Sequence, residues 1–173
     1  MKYPDIAKEI IEMARVDQEM RETAAHNPNK WDISVDWHNT KRMKVIVAKI
    51  GWPNIVKVGQ EAAHMAWLLV QHADHHVAFQ KQCLALLLRE PKEEIQPREI
   101  GYLEDRIRVS EGRPQLYGTQ FFLDNDTKTF QPRPIEDLEG LADRRATLGM
   151  EPFEDYEKRL RERYDACVPK RAA

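Results

Sequence analysis

Apolar residues recur at helical spacing from the first turn of the chain. After Pro4 and Asp5, which suit a helix start, Ile6, Ile10, Met13, Met20 and Ala24 share one stripe until His26-Asn27-Pro28-Asn29 ends it. Asp17 falls on that stripe by spacing, and Arg21 one turn later lies on the same side, so an aspartate–arginine pair facing the core is expected. A second helix is predicted from about Asn39 to Ile50, with Met43, Ile46, Val47 and Ile50 inward and Gly51 as its stop. The stretch from Ile55 to Arg89 has no proline and the densest apolar content, and reads as a central helix in one piece or two. Asp74 is a good N-cap for a second piece, but Val77 offers no Glu or Gln for a capping box, which favours one long helix with a kink.

Pro97 opens a shorter helix to about Val109, with Ile100, Leu103 and Ile107 on one side. Gln115 to Phe122 and Thr127 to Gln131 read as two strands around the turn residues Asp124-Asn125-Asp126. Two last helices are predicted, from about Glu136 to Leu148 with Gly149 as stop, and from Pro152 to Asp165 with Phe153, Tyr156 and Leu160 inward. Together these elements predict a mainly α fold: a single-domain helical bundle around a long central helix, with one small β-hairpin. It spans residues 1–168, and a frayed tail covers 169–173.

Length and composition fit that reading. A chain of 173 residues, 42% apolar and 32% charged, can bury a core without staples. Its 27 basic and 29 acidic residues are spread along the chain, and the net charge of −2 argues against nucleic acid as a partner. The basic run Lys158 to Arg163 is interleaved with Glu157 and Glu162, as on a solvated helix face. Met65 to Val70 and Cys83 to Leu88 are too short to cross a bilayer, so no membrane partner is expected. The two cysteines, Cys83 and Cys167, share no ligand spacing, and the N-terminus has no apolar signal run, which points to a reducing cytoplasm.

Four of the six histidines fall between His64 and His76, in the most apolar part of the chain. On a continuous helix His64, Gln71 and His75 share a narrow face with His72 at its edge. His72 and His76 form an H-x-x-x-H pair, but no third ligand stands at a metal-site spacing, so neither a metal nor an organic cofactor is expected. Acid–base chemistry suits these residues better, because a histidine in a low-dielectric pocket beside a carboxylate can exchange a proton with a bound molecule. His72, Asp17 and Asp74 are the catalytic candidates. In Gln115-Leu116-Tyr117-Gly118-Thr119-Gln120, strand alternation puts Gln120 on the apolar side, where its amide must find partners or bind a ligand. No nucleophile elbow, phosphate-binding loop or dinucleotide fingerprint is present, and Cys83 lies in an apolar run that suits an inert core thiol.

Several stretches together resemble an uncharacterised bacterial domain-of-unknown-function family. They are MARVDQEMR (Met13 to Arg21), Gly51-Trp52-Pro53, WLLVQHAD (Trp67 to Asp74), YLEDR (Tyr102 to Arg106) and QLYGTQ (Gln115 to Gln120), with further likeness through Pro134-Ile135-Glu136-Asp137 and Arg144-Arg145 to Gly149. The chain departs from the family at His75-His76-Val77, where acidic residues and a proline are commoner. The resemblance brings no assigned activity. It marks Arg21, Gln18, Gln71, Tyr102, Asp105, Arg106, Gln115, Tyr117 and Gln120 as candidate binding residues beside His72, Asp17 and Asp74.

Three functions fit these residues. The first is a small-molecule enzyme of hydrolase or lyase/cyclase type, with His72 as general acid or base, Asp17 as its partner, and Arg21 or Arg106 holding an anionic group. The second is a non-catalytic small-molecule binding, sensing or self-resistance protein. The third is a polar network that holds the fold and takes no ligand.

Overall fold

Pro4 needs no amide partner at the first helical position and Asp5 complements the helix N-terminus, and in a computed structural model the first helix, α1 (Pro4–His26), starts there. The structure describes residues 1–124 and 129–167. Among them it is mainly helical, with eight α-helices and one antiparallel two-stranded hairpin. The expected frayed tail at 169–173 and the hairpin positions Asn125, Asp126 and Thr127 lie outside the described residues. The chain gathers into two compact units, Met1–Glu99 and Ile100–Ala173.

In the first unit α1 buries Ile6, Ile10, Met13 and Asp17 and packs chiefly on α4 (Gln60–Gln71). The second helix, α2 (Ile33–Ile50), packs on both, and the single turn α3 (Ile55–Val58) lies between α2 and α4 in the chain. Expected to start at Asn39, α2 begins a turn and a half earlier. Asp32 accepts a hydrogen bond from the Ser34 amide at 2.9 Å and so caps the helix at Ile33. Met43, Ile46, Trp52, Ala66, Leu69 and Val70 fill the core, each large side chain contributing about 1.5–3 kcal/mol of burial free energy.

No long central helix forms. Gly59, at φ +82°, separates α3 from α4, and α4 ends at Gln71. A 3₁₀ turn, Asp74–His76, then leads into α5 (Val77–Leu87). The capping residue is His76 rather than Asp74: its backbone is non-helical, at φ −142° and ψ 62°, and its ring Nδ1 accepts from the Phe79 amide at 3.2 Å. Gln80, fully buried on α5, donates from Nε2 to the carbonyls of Val70 at 3.2 Å and Gln71 at 3.1 Å at the end of α4, where Val70 also accepts from the Ala73 amide at 3.1 Å. The chain continues through α6 (Arg98–Ser110), and the division between the two units falls inside this helix.

In the second unit Leu103 and Ile107 of α6, Leu141 of α7 (Leu141–Thr147) and Tyr156 of α8 (Phe153–Cys167) are buried. The strands β1 (Phe121–Leu123) and β2 (Phe130–Pro132) pair Phe121 with Pro132 and Leu123 with Phe130. Gln115 to Gln120, expected as strand, is a loop, and its amides turn inward onto Asp105. That carboxylate accepts from the amides of Leu116 (2.7 Å), Tyr117 (3.0 Å) and Thr119 (2.9 Å) and from the Thr119 hydroxyl (2.9 Å). Helix α7 begins at Leu141 instead of Glu136, because Asp137 sits at φ +51° and Arg144 Nη2 takes the carbonyls of Glu136 (2.8 Å) and Asp137 (2.6 Å).

Asp105→Ala would strand these amide donors in the interior. It is expected to lower the free energy of unfolding by about 3 kcal/mol or more, read by urea denaturation. A change below about 0.5 kcal/mol would show that the loop holds its shape without the carboxylate.

Candidate functional site

Asp17 stands where the core stripe of α1 calls for an apolar residue, and its side chain is fully buried. A carboxylate in that position stays ionised only if donors surround it. Three do: Oδ2 lies 2.8 Å from His72 Nδ1, 3.1 Å from Arg21 Nε and 2.8 Å from Gln18 Nε2. Burial opposes the charge, but the hydrogen bonds from His72 and Arg21 outweigh it and hold the Asp17 carboxyl below its usual range. The second oxygen, Oδ1, is buried with no partner among the described residues.

The arrangement extends to α2. Arg21 Nη2 donates to Asp36, which is almost wholly buried. Burial, reinforced by the nearby Asp17 charge, pushes the Asp36 carboxyl up against the pull of Arg21. One guanidinium thus serves two carboxylates and has no spare charge for an anionic ligand. One turn further along α2, Asn39 Nδ2 and Thr40 Oγ1 are buried without partners among the described residues. Beside Arg21 opens a cavity of about 440 Å³ lined by Arg21, Ala24, Ala25, Pro28 and Trp31. The Trp31 ring lies over the guanidinium with its centroid 4.9 Å from Cζ. Trp31 and Trp37 are both strongly exposed, and Trp37 tilts against His75 at 6.2 Å.

His72 is the C-cap residue of α4, so the helix end fixes its backbone and Asp17 fixes its ring. Its side chain is 15% exposed, and Nε2 has no hydrogen-bond partner among the described residues. With Nδ1–H donated to Asp17, Nε2 is the nitrogen free to accept or return a proton.

The other expected site residues take different places. Gln71 is buried, and its carbonyl serves Gln80. Asp74 is exposed and accepts from Gln80 at 3.3 Å, holding the turn between α4 and α5. The remaining six belong to the second unit. Asp105 uses both oxygens on its loop. Gln115 donates to the carbonyls of Gln120 (3.0 Å) and Arg133 (2.8 Å) and accepts from the Gln120 amide (2.8 Å). Gln120 Nε2 donates to the Thr119 hydroxyl. Tyr102 packs edge-on to Tyr156 at 6.1 Å, and Tyr117 and Arg106 are half-buried. His72 and His76 do not project together, because His76 caps α5. Among the described residues no group of three or more His, Cys, Asp or Glu is placed to hold a metal ion. Burial pushes the Cys83 thiol up to about 12, so it is not a thiolate at neutral pH.

Asp36 lies N-terminal to the helix expected from Asn39; with Asp32 as the cap, Asp36, Asn39, Thr40 and Met43 form one inward stripe of α2. Glu99 was missed too: buried at the start of α6, it meets His64 Nδ1 at 2.8 Å, a second histidine–carboxylate pair in the same unit. Nothing in the local spacing announces that pair.

The sequence model of a family of unknown function (DUF6624) matches residues 4–169, and the chain belongs to that family. No curated protein and no solved structure matches it significantly.

Because folded Asp17 titrates below its ordinary value, the stability it contributes is complete above the unfolded carboxylate range, about pH 4, and is lost as pH falls through the lower folded value. Asp17→Asn is expected to be less stable than wild type by about 2–4 kcal/mol at pH 7, with the gap closing below about pH 4. Urea denaturation of both proteins between pH 3 and pH 7 tests this, and a gap independent of pH would mean that the carboxylate charge is not what stabilises the site.

Proposed function

We propose that in this member of DUF6624 the His72–Asp17 pair is the acid–base centre of a small-molecule enzyme, of hydrolase or lyase/cyclase type. The observation that carries the reading is the 2.8 Å contact between His72 Nδ1 and a fully buried carboxylate, with Nε2 left free and the ring partly open to solvent. A carboxylate behind Nδ1 holds the ring and its tautomer and balances the charge the ring takes on when Nε2 accepts a proton. Buried Asp17 Oδ1 on α1 and Asn39 Nδ2 and Thr40 Oγ1 on α2 supply further acceptor and donor atoms.

The charges select the substrate. Arg21 is already shared between Asp17 and Asp36, so it is a positioning residue for the dyad rather than an anchor for an anion. Two carboxylates against one guanidinium, with exposed Trp31 and Trp37 nearby, favour a neutral or cationic group on the substrate. The protein is proposed to act in the cytoplasm. The orphan polar atoms also support a second reading, a protein that holds a small molecule without changing it.

The test is incubation of the purified protein with a small-molecule cell extract, followed by mass spectrometry of every component. A compound consumed by wild type and consumed about 10²–10⁴-fold more slowly by a folded His72→Gln variant is the expected result. Retention of a compound unchanged would establish the binding reading instead. Full turnover by His72→Gln, or no compound either consumed or bound by wild type, would overturn both.

A further inference from the structure

The second unit contains an arginine that breaks the pattern set by its neighbours. Arg144 pairs with Asp137 at 2.8 Å, Arg159 with Glu151, and Arg161 with Glu157 at 2.7 Å. Arg145 has no acid. It is also the most deeply buried of the four, with 1% of its surface exposed. Its Nε donates to the Glu151 carbonyl at 2.7 Å and its Nη1 to the Tyr117 carbonyl at 2.5 Å, while Cζ lies 5.0 Å from the Tyr156 ring centroid and 5.8 Å from that of Phe153. Nη2 is buried and has no hydrogen-bond partner among the described residues.

Carbonyl dipoles and ring faces moderate a buried cation but do not neutralise it; the charges of Glu151 and Asp105 reach Arg145 only through space, and a buried guanidinium with no carboxylate in contact is unfavourable. Desolvation accordingly pushes the Arg145 group below its usual value. The same side chain forms part of the wall of a cavity of about 190 Å³, whose other walls are mainly apolar: Leu138, Leu141, Ala146, Met150, Pro152 and Phe153 among them.

We propose that this cavity binds a small monocarboxylate with an apolar body, its carboxylate on Arg145 and its hydrocarbon against Leu141, Met150 and Phe153. A planar carboxylate matches the remaining N–H donors of a guanidinium, and an apolar wall suits a weakly hydrated acid better than a phosphate. Glu154, exposed at the rim, disfavours a second negative charge on the ligand. Leu138, 67% exposed, stands at the mouth, where a bound hydrocarbon would cover it.

Benzoate is the probe, with benzamide as its uncharged isostere and inorganic phosphate as the competing anion, followed by saturation-transfer NMR and calorimetry on the full chain. Benzoate is expected to bind one to one with a Kd on the order of 1 mM, and benzamide about tenfold or more weakly. Because Arg145→Met removes structural hydrogen bonds, the decisive variant is Ala142→Phe, which fills the cavity from its exposed wall and leaves Arg145 in place. It is expected to abolish benzoate binding, whereas His72→Gln should bind as wild type, which separates this site from the acid–base centre. Equal binding of benzamide, displacement of benzoate by equimolar phosphate, undiminished binding to Ala142→Phe, or no saturable binding at all would each overturn the proposal.

Discussion

A carboxylate buried at Asp17 constrains the whole first unit. Left alone in the interior it would either be protonated or unfold the helix pair around it, so α1 has to meet donors from elsewhere in the unit. His72 comes from the end of α4, and Arg21 and Gln18 come from α1 itself. Through Arg21 the network reaches Asp36 on α2. Any slide of α1 against α4 would uncouple His72 from Asp17 and leave a buried charge without its partner. The same contacts that fix the packing therefore fix the geometry of the candidate site.

The break between α4 and α5 follows from that placement. An uninterrupted helix would carry His72 as an interior residue with the next turn stacked over it. Ending α4 at Gln71 puts His72 at a helix terminus, partly open, where the Ala73 amide serves the Val70 carbonyl and Gln80 from the following helix bonds the carbonyls of both Val70 and Gln71. His76 supplies the cap that restarts the chain. A buried glutamine and a capping histidine thus stabilise a discontinuity that apolar content alone would have closed.

Among its described residues the second unit buries two charges and treats them differently. Asp105 is an anion enclosed by backbone amides, both oxygens used, and it gives the 115–119 loop its shape. Arg145 is a cation held by carbonyls and ring faces with one amino group left over. Full satisfaction marks the first as structural. Residual hydrogen-bonding capacity beside a cavity is what separates the second from it.

The sequence by itself determined the helical class, most helix boundaries and the Asp17–Arg21 pair, because periodicity and caps act over one or two turns and are written locally. It also singled out His72, as a histidine in the most apolar segment. It did not contain the helix break, since that depends on Gln80 reaching carbonyls nine and ten residues back, nor the loop at 115–120, whose alternation looks like a strand until Asp105 gathers its amides. The division into two units was illegible because no linker marks it; the boundary runs within a continuous helix. Residue types alone named Asp17 as the partner of His72, but the contact itself, and the pairs Arg21 with Asp36 and Glu99 with His64, were decided by tertiary structure. Electrostatic pairing depends on distance in space, and these residues stand 15 to 55 positions apart along the chain.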